Sequence, residues 1–78
     1  MQVDVTVQDI EAGIAGSTDA CPVALAIGRC GLGPVRVGGF GLRVGGRSWV
    51  LQPVGVTDFI VAFDKGWSVK PFSFELEL

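Results

Sequence analysis

The chain has no histidine and no tyrosine, and only two cysteines and one methionine among its 78 residues. Imidazole and phenol are common acid–base groups of active sites, and no pair of carboxylates stands out to replace them, so a non-enzymatic protein is expected. Cys21 and Cys30 lie nine positions apart in a stretch that reads as one helix. At helical rise that separation is about 13 Å, on opposite sides, against the roughly 7 Å a disulfide spans. No intrachain bridge is expected. A zinc site would need two carboxylates beside the two thiols, a poor match to structural zinc, so neither a metal nor another cofactor is expected. Long apolar runs are missing too. The longest stretch without a charged residue, residues 48–57, has ten positions and contains Pro53, whereas a membrane span needs about 18. Asp4, Asp9 and Glu11 stand where a signal peptide would carry a basic start and an apolar core. A soluble, cytoplasmic chain with reduced thiols follows as the expectation. A net charge of -2 and a pI near 4.7 disfavour nucleic-acid binding through a bulk positive field, leaving only a local basic face open.

What is present is apolar. Hydrophobic residues make up 49% of the chain, with a mean hydropathy of +0.52. A domain this small buries only about 60% of its unfolded surface, and without disulfide or metal the remaining staple is association, so a homo-oligomer is expected. Residues 2–7 alternate, with Val3, Val5 and Val7 to one side, as in a half-buried strand. Thr6 and Asp9 have capping-box spacing and Gly13 a stop, predicting a helical turn over residues 7–12 with Ile10 inward. Pro22 suits the first position of the next helix, with Cys21 as its N-cap. Residues 23–27 are all apolar, which predicts burial on more than one side and cover from a second helix or another subunit.

Residues 34–52 read as a three-stranded meander with two-residue turns at Gly38-Gly39 and Gly45-Gly46. Those turns set Val37 opposite Phe40, Val35 opposite Leu42, Leu42 opposite Trp49 and Phe40 opposite Leu51. One face then carries Val35, Val37, Phe40, Leu42, Val44, Trp49 and Leu51, and the other Arg36, Gly41, Arg43, Ser48 and Val50. A further helix is predicted from Thr57 as N-cap, with Val56 stapled against Val61, a stripe of Phe59, Ile60 and Phe63, and Gly66 as the stop. Residues 71–78 alternate, with Phe72, Phe74, Leu76 and Leu78 inward. The expected fold is a single α+β domain of order β-α-α-β-β-β-α-β, its sheet mainly antiparallel with the helices on one face.

Three segments carry a resemblance: Thr6-x-x-Asp9-Ile10-x-x-Gly13, the run Cys21-Pro22-Val23-Ala24-Leu25-Ala26, and Phe63-Asp64-x-Gly66-x-x-Val69-x-Pro71-Phe72-x-Phe74. Together they resemble a group of very small uncharacterised proteins often encoded by bacteriophages and actinobacteria. The resemblance spans most of the chain but omits the Gly-rich meander. It implies a phage or prophage context and no established activity, so it supplies no catalytic residue.

Candidate site residues fall in three places. At the start of the Cys-Pro helix, a thiolate at Cys21 would be stabilised by free N–H groups, but Asp19 is adjacent and no base is available, so a capping role is the leading reading. Ser17, Thr18 and Cys21, with an arginine such as Arg47, would suit a nucleotide or other anion held at a subunit boundary, although neither a Walker A nor a dinucleotide fingerprint is present. Arg36 and Arg43 project from the outer sheet face, where they would grip an anion, a nucleotide or a partner's acidic surface; neutralisation by Asp4, Glu75 and Glu77, expected on the same face, is the leading reading. Trp67 is either a lid over the core or an interface anchor, and Gly41 leaves a gap for a partner backbone, a ligand or Trp67. The leading expectation is a protein-interaction or assembly module, with a host protein as one partner. An anion or nucleotide binder is the alternative, and a thiol enzyme comes third.

Overall fold

A computed structural model of the chain describes residues 1–77; Leu78, expected on the inward face of the last strand, lies outside them. The elements follow the expected order: β1 (Gln2–Val5), α1 (Val7–Ala12), α2 (Pro22–Gly28), β2 (Val35–Val37), β3 (Gly41–Val44), β4 (Val50–Leu51), α3 (Val56–Asp64) and β5 (Phe72–Glu75). The fold is α+β with antiparallel pairing throughout. Among the described residues the strands divide into two small sheets, β1–β5 and β2–β3–β4, accompanied by three helices. In the first sheet, Val3 pairs with Phe74 and Val5 with Phe72. Val3, Val5, Phe74 and Leu76 are buried, as period-2 alternation demands of a strand with one dry face.

The first helical turn forms as its spacing predicts. The Thr6 hydroxyl accepts the Asp9 N–H, and the Asp9 carboxylate accepts the Thr6 N–H at 2.8 Å. A second partner of Asp9 has no local sequence signal. Arg29, just beyond α2, donates through Nη1 to the Asp9 carboxylate and through Nη2 to the Asp4 carbonyl at 2.9 Å. Asp9 is only 4% exposed. Burial pushes its carboxyl up, but hydrogen bonds from Arg29 and Thr6 outweigh this and hold it below the ordinary carboxylate range.

Helix α2 starts as expected, with Cys21 as N-cap and Pro22 at N1. Pro22, Val23, Ala24, Ala26 and Ile27 are buried. The cover comes from the same chain, since α1, β1 and β2 all pack on this helix. The all-round apolarity of α2 therefore does not require a second subunit.

The meander keeps its two outer turns but changes register. Its first turn is centred one residue later, so that Gly38 donates to the Gly41 carbonyl at 2.8 Å and Val37 pairs with Leu42, Arg36 with Arg43 and Val35 with Val44. Both flanks move together, which conserves parity, and Val35, Val37, Leu42 and Val44 stay inward and buried. Phe40, expected in the core, falls in the turn and is 81% exposed.

The second turn slips by an odd step. Arg47 donates to the Val44 carbonyl across Gly45, whose φ is 61°, and β4 then pairs Leu42 with Val50 and Gly41 with Leu51. This inverts β4, turning Val50 inward and Trp49 and Leu51 outward. Gly41 explains the choice. A Cβ there would lie 3.0 Å from the Val50 carbonyl oxygen and 3.6 Å from the Trp49 ring, so the bare backbone admits both the close strand and the indole. The gap at Gly41 is thus taken by Trp49.

Helix α3 begins at Val56, two residues before the start that a Thr57 cap implies. Its N-cap is Gly55, with φ 88° and no side-chain cap bond. Thr57 Oγ1 donates instead to Gln52 Oε1 at 2.6 Å, and Val56 is fully buried while Val61 is exposed, so the expected staple does not form. At the other end, Gly66 donates to the Phe63 carbonyl and Trp67 to the Ala62 carbonyl, a Schellman termination that uses the positive φ of Gly66. Phe59 is buried, with Ile60 and Phe63 packed beside it.

Gln52 joins these parts. Its Nε2 donates to the carbonyls of Gly38 and Gly41 while Oε1 takes the Thr57 hydroxyl, so one amide ties the first turn, β3 and α3. Gln52→Ala should lower stability by about 1–3 kcal/mol, because half-buried carbonyls lose their donor. A denaturant midpoint that falls at unchanged m-value checks this.

Candidate functional site

The start of α2 borders a cavity of about 180 Å³ walled by Gly16, Ser17, Thr18, Cys21, the turn at Gly38, Ile60 and Asp64. Ser17, Thr18 and Cys21 therefore border one cavity, while Arg47, in the β3–β4 turn, does not. Several of the donors that an anion would use are engaged. The Gly16 N–H donates to Asp64 Oδ1 at 2.9 Å, Ser17 Oγ donates to Asp19 while accepting the Ala20 N–H, and Cys21 Sγ accepts the Ala24 N–H at 3.5 Å. The Thr18 carbonyl accepts the Val37 N–H at 2.7 Å and so closes the outer edge of β2. Asp19 and Asp64 bring negative charge to this corner. Burial pushes the Cys21 thiol above its ordinary range, the Asp64 carboxylate adds to this, and N–H donation from Ala24 and Val23 only partly offsets it. The arrangement suits a neutral capping thiol.

The opposite situation holds on the outer face of β2–β3–β4. Arg36 and Arg43 are exposed and directly opposed across the two strands. The bonds from Gly38 to Gly41 and from Gly45 to Pro34 on either side make theirs a hydrogen-bonded pair, with Cα atoms about 5.5 Å apart. Like charges so placed repel, at a cost of about 0.2–1 kcal/mol. Neither arginine has a carboxylate partner among the described residues; Arg43 donates only through Nε to the Arg47 carbonyl, at 2.9 Å. The neutralising acids foreseen for them belong to the other sheet. Asp4 accepts from Gln2 and Ser73, whose hydrogen bonds draw its carboxyl below the ordinary range, and Glu75 lies 3.3 Å from the N-terminal ammonium.

Beside the arginines lies apolar surface without cover. Trp49 lies over Gly41 with 54% of its area exposed, Leu51 is 85% exposed and Val54 is 99% exposed, and Phe40 caps the adjoining turn. Leu51 also borders a groove of about 440 Å³, with Val50, Leu51 and Pro53 on one wall and Glu75, Leu76 and Glu77 on the other. The seam between the two sheets thus runs from a cationic, aromatic surface to an acidic one. Trp67 stands apart from this surface in the sequence and pairs locally. It is 59% exposed, with Lys65 Nζ 4.8 Å from its ring centroid, and the space at Gly41 is taken by Trp49 instead.

Two participants escape a local reading, Trp49 and Leu51, because parity assigned both to the core. A signal for the face does exist in charge order. Between Asp19 and Asp58 the chain has four arginines and no carboxylate, and all eight carboxylates lie in the flanks. Comparison with protein-family profiles, curated proteins and solved structures finds no match to this chain.

Proposed function

We propose that the protein is a non-enzymatic interaction module that binds a protein partner through the outer face of β2–β3–β4. The observation that carries this reading is the cluster of Trp49, Leu51 and the unpaired Arg36–Arg43 couple on that face. Tryptophan and arginine are the side chains that most often dominate binding energy at protein interfaces. Leu51 and Val54, bare beside them, add apolar area that a partner would bury. The engaged donors and the two carboxylates at the start of α2 weigh against the anion-binding alternative. A phage-encoded role acting on a host protein would be consistent with the resemblance in the N- and C-terminal segments.

A photo-crosslinking side chain at position 51 tests the module in cells that express the protein. Discrete adducts are expected from position 51, lost when Trp49→Ser is added, and absent when the same group is placed at exposed Gln8. Equal labelling from positions 51 and 8, or no adduct from position 51, would overturn the reading.

A further inference from the structure

The charge order and the two-sheet division bear on which partner this face takes. Arg36 and Arg43 stand on one sheet, and Glu75 and Glu77 stand across the groove at the end of the other. The division places the two sets on separate sheets, with no ladder between them among the described residues. Arg36, Arg43 and Glu77 have no ion-pair partner among the described residues, and Glu75 meets only the terminal ammonium. The two halves adjoin along a groove whose rim carries the exposed Leu51.

Resting on the interaction reading above, we infer that the occupant of this face is a second copy of the chain. The copies are related by a two-fold axis near the groove, so that the Arg36–Arg43–Trp49 half of each covers the Glu75–Glu77 half of the other. A surface with a basic half and an acidic half beside it is complementary to itself after a half-turn, which is the requirement of a two-fold dimer. Both sets of charges are then paired twice over, and Leu51, next to the axis, is buried against its equivalent. The like-charge couple on β2–β3, costly in the free chain, becomes a two-pronged clamp for carboxylates. A stranger with acidic groups would satisfy the arginines but leave Glu77 unanswered and Glu75 with the terminal ammonium alone.

Sedimentation across a concentration series tests this. The wild-type chain should pass from the 8.2 kDa monomer to a species of twice that mass, with salt shifting it back because the contacts are charged. Arg36→Glu with Arg43→Glu, and separately Glu75→Arg with Glu77→Arg, should each weaken self-association by about a hundredfold or more, since like charges then face each other. Mixing the two variants should restore the dimer, because one is acidic on both halves and the other basic on both. All four positions are exposed, and circular dichroism reports whether each variant is folded; if either is not, the concentration and salt dependence of the wild type, with its loss in Leu51→Ser, decides. A wild type that stays monomeric throughout, or a mixture of folded variants that stays monomeric, overturns the second-copy inference. If position 51 still crosslinks to a different protein, the module reading stands and only the identity of its partner falls; if it crosslinks to nothing, both fall.

Discussion

Arg29→Met is expected to lower stability by about 2–3 kcal/mol near neutral pH, with a deficit that shrinks as the solution is acidified. The substitution keeps a long apolar stem but removes the guanidinium that faces Asp9, leaving a carboxylate that is 4% exposed with only its Thr6 partners. Breaking a buried pair costs about 3–5 kcal/mol; the smaller figure allows for the half-exposed Arg29 side chain. In the wild type the Asp9 carboxyl is held below its ordinary value of 3.8. Its contribution is therefore complete above that value and is lost as pH falls through the lower folded-state value. In the variant, burial acts with far less opposition, so protonation relieves the penalty at mildly acidic pH and the two stability curves converge. Urea titrations between neutral pH and about pH 4 read the gap directly. A gap that stays constant would mean that Arg29 acts by packing rather than by charge.

Gly13→Ala should destabilise by about 1–3 kcal/mol, although nothing in the local backbone forbids alanine. The φ of -68° and ψ of 151° at Gly13 are open to any residue, and reduced freedom in the unfolded chain would by itself favour the substitution. The obstacle is the neighbour. A Cβ at this position would lie 2.6 Å from Cδ and Cγ of Pro22 and 2.8 Å from its nitrogen, a rigid ring buried at the head of α2. The ends of α1 and α2 meet there at glycine distance, so relief requires the two helices to part. Gly28→Ala is the matched control. Its Cβ would meet nothing within 4 Å on an exposed helical position, and a gain of about 0.5–1 kcal/mol is expected. Thermal melts of the two variants should move in opposite directions. A neutral Gly13→Ala would show that the contact yields easily.

Much of the fold was legible because its signals act over a few residues. The Thr6–Asp9 box, the Cys21–Pro22 start, the Gly66 stop and the alternating β1 and β5 each depend on groups within about one turn or one strand length. Thr57 shows how such a signal fails. Its hydroxyl was a sound N-cap on local grounds, but Gln52 offers a stronger acceptor from the preceding loop, and the positive φ of Gly55 starts the helix earlier. The candidate site was legible in part. Ser17, Thr18 and Cys21, adjacent in sequence, border one cavity, yet Asp64, 48 residues away from Gly16, takes an N–H that an anion would use.

Composition and local order by themselves determined the α+β class, the element sequence, two of the three helix starts and the inward residues of β1, β2, β3 and β5. Only tertiary structure decided the number of sheets, the cover of α2, the Arg29–Asp9 pair and the face of β4. The last of these has the largest consequence. A hairpin register is a parity, and one extra residue after the Gly45-Gly46 turn exchanges inside for outside along the whole strand. That parity depends on contacts to Gly41 across the sheet rather than on the turn residues themselves. Trp49 and Leu51, core residues by local pattern, therefore stand beside Arg36 and Arg43 on the surface proposed to bind.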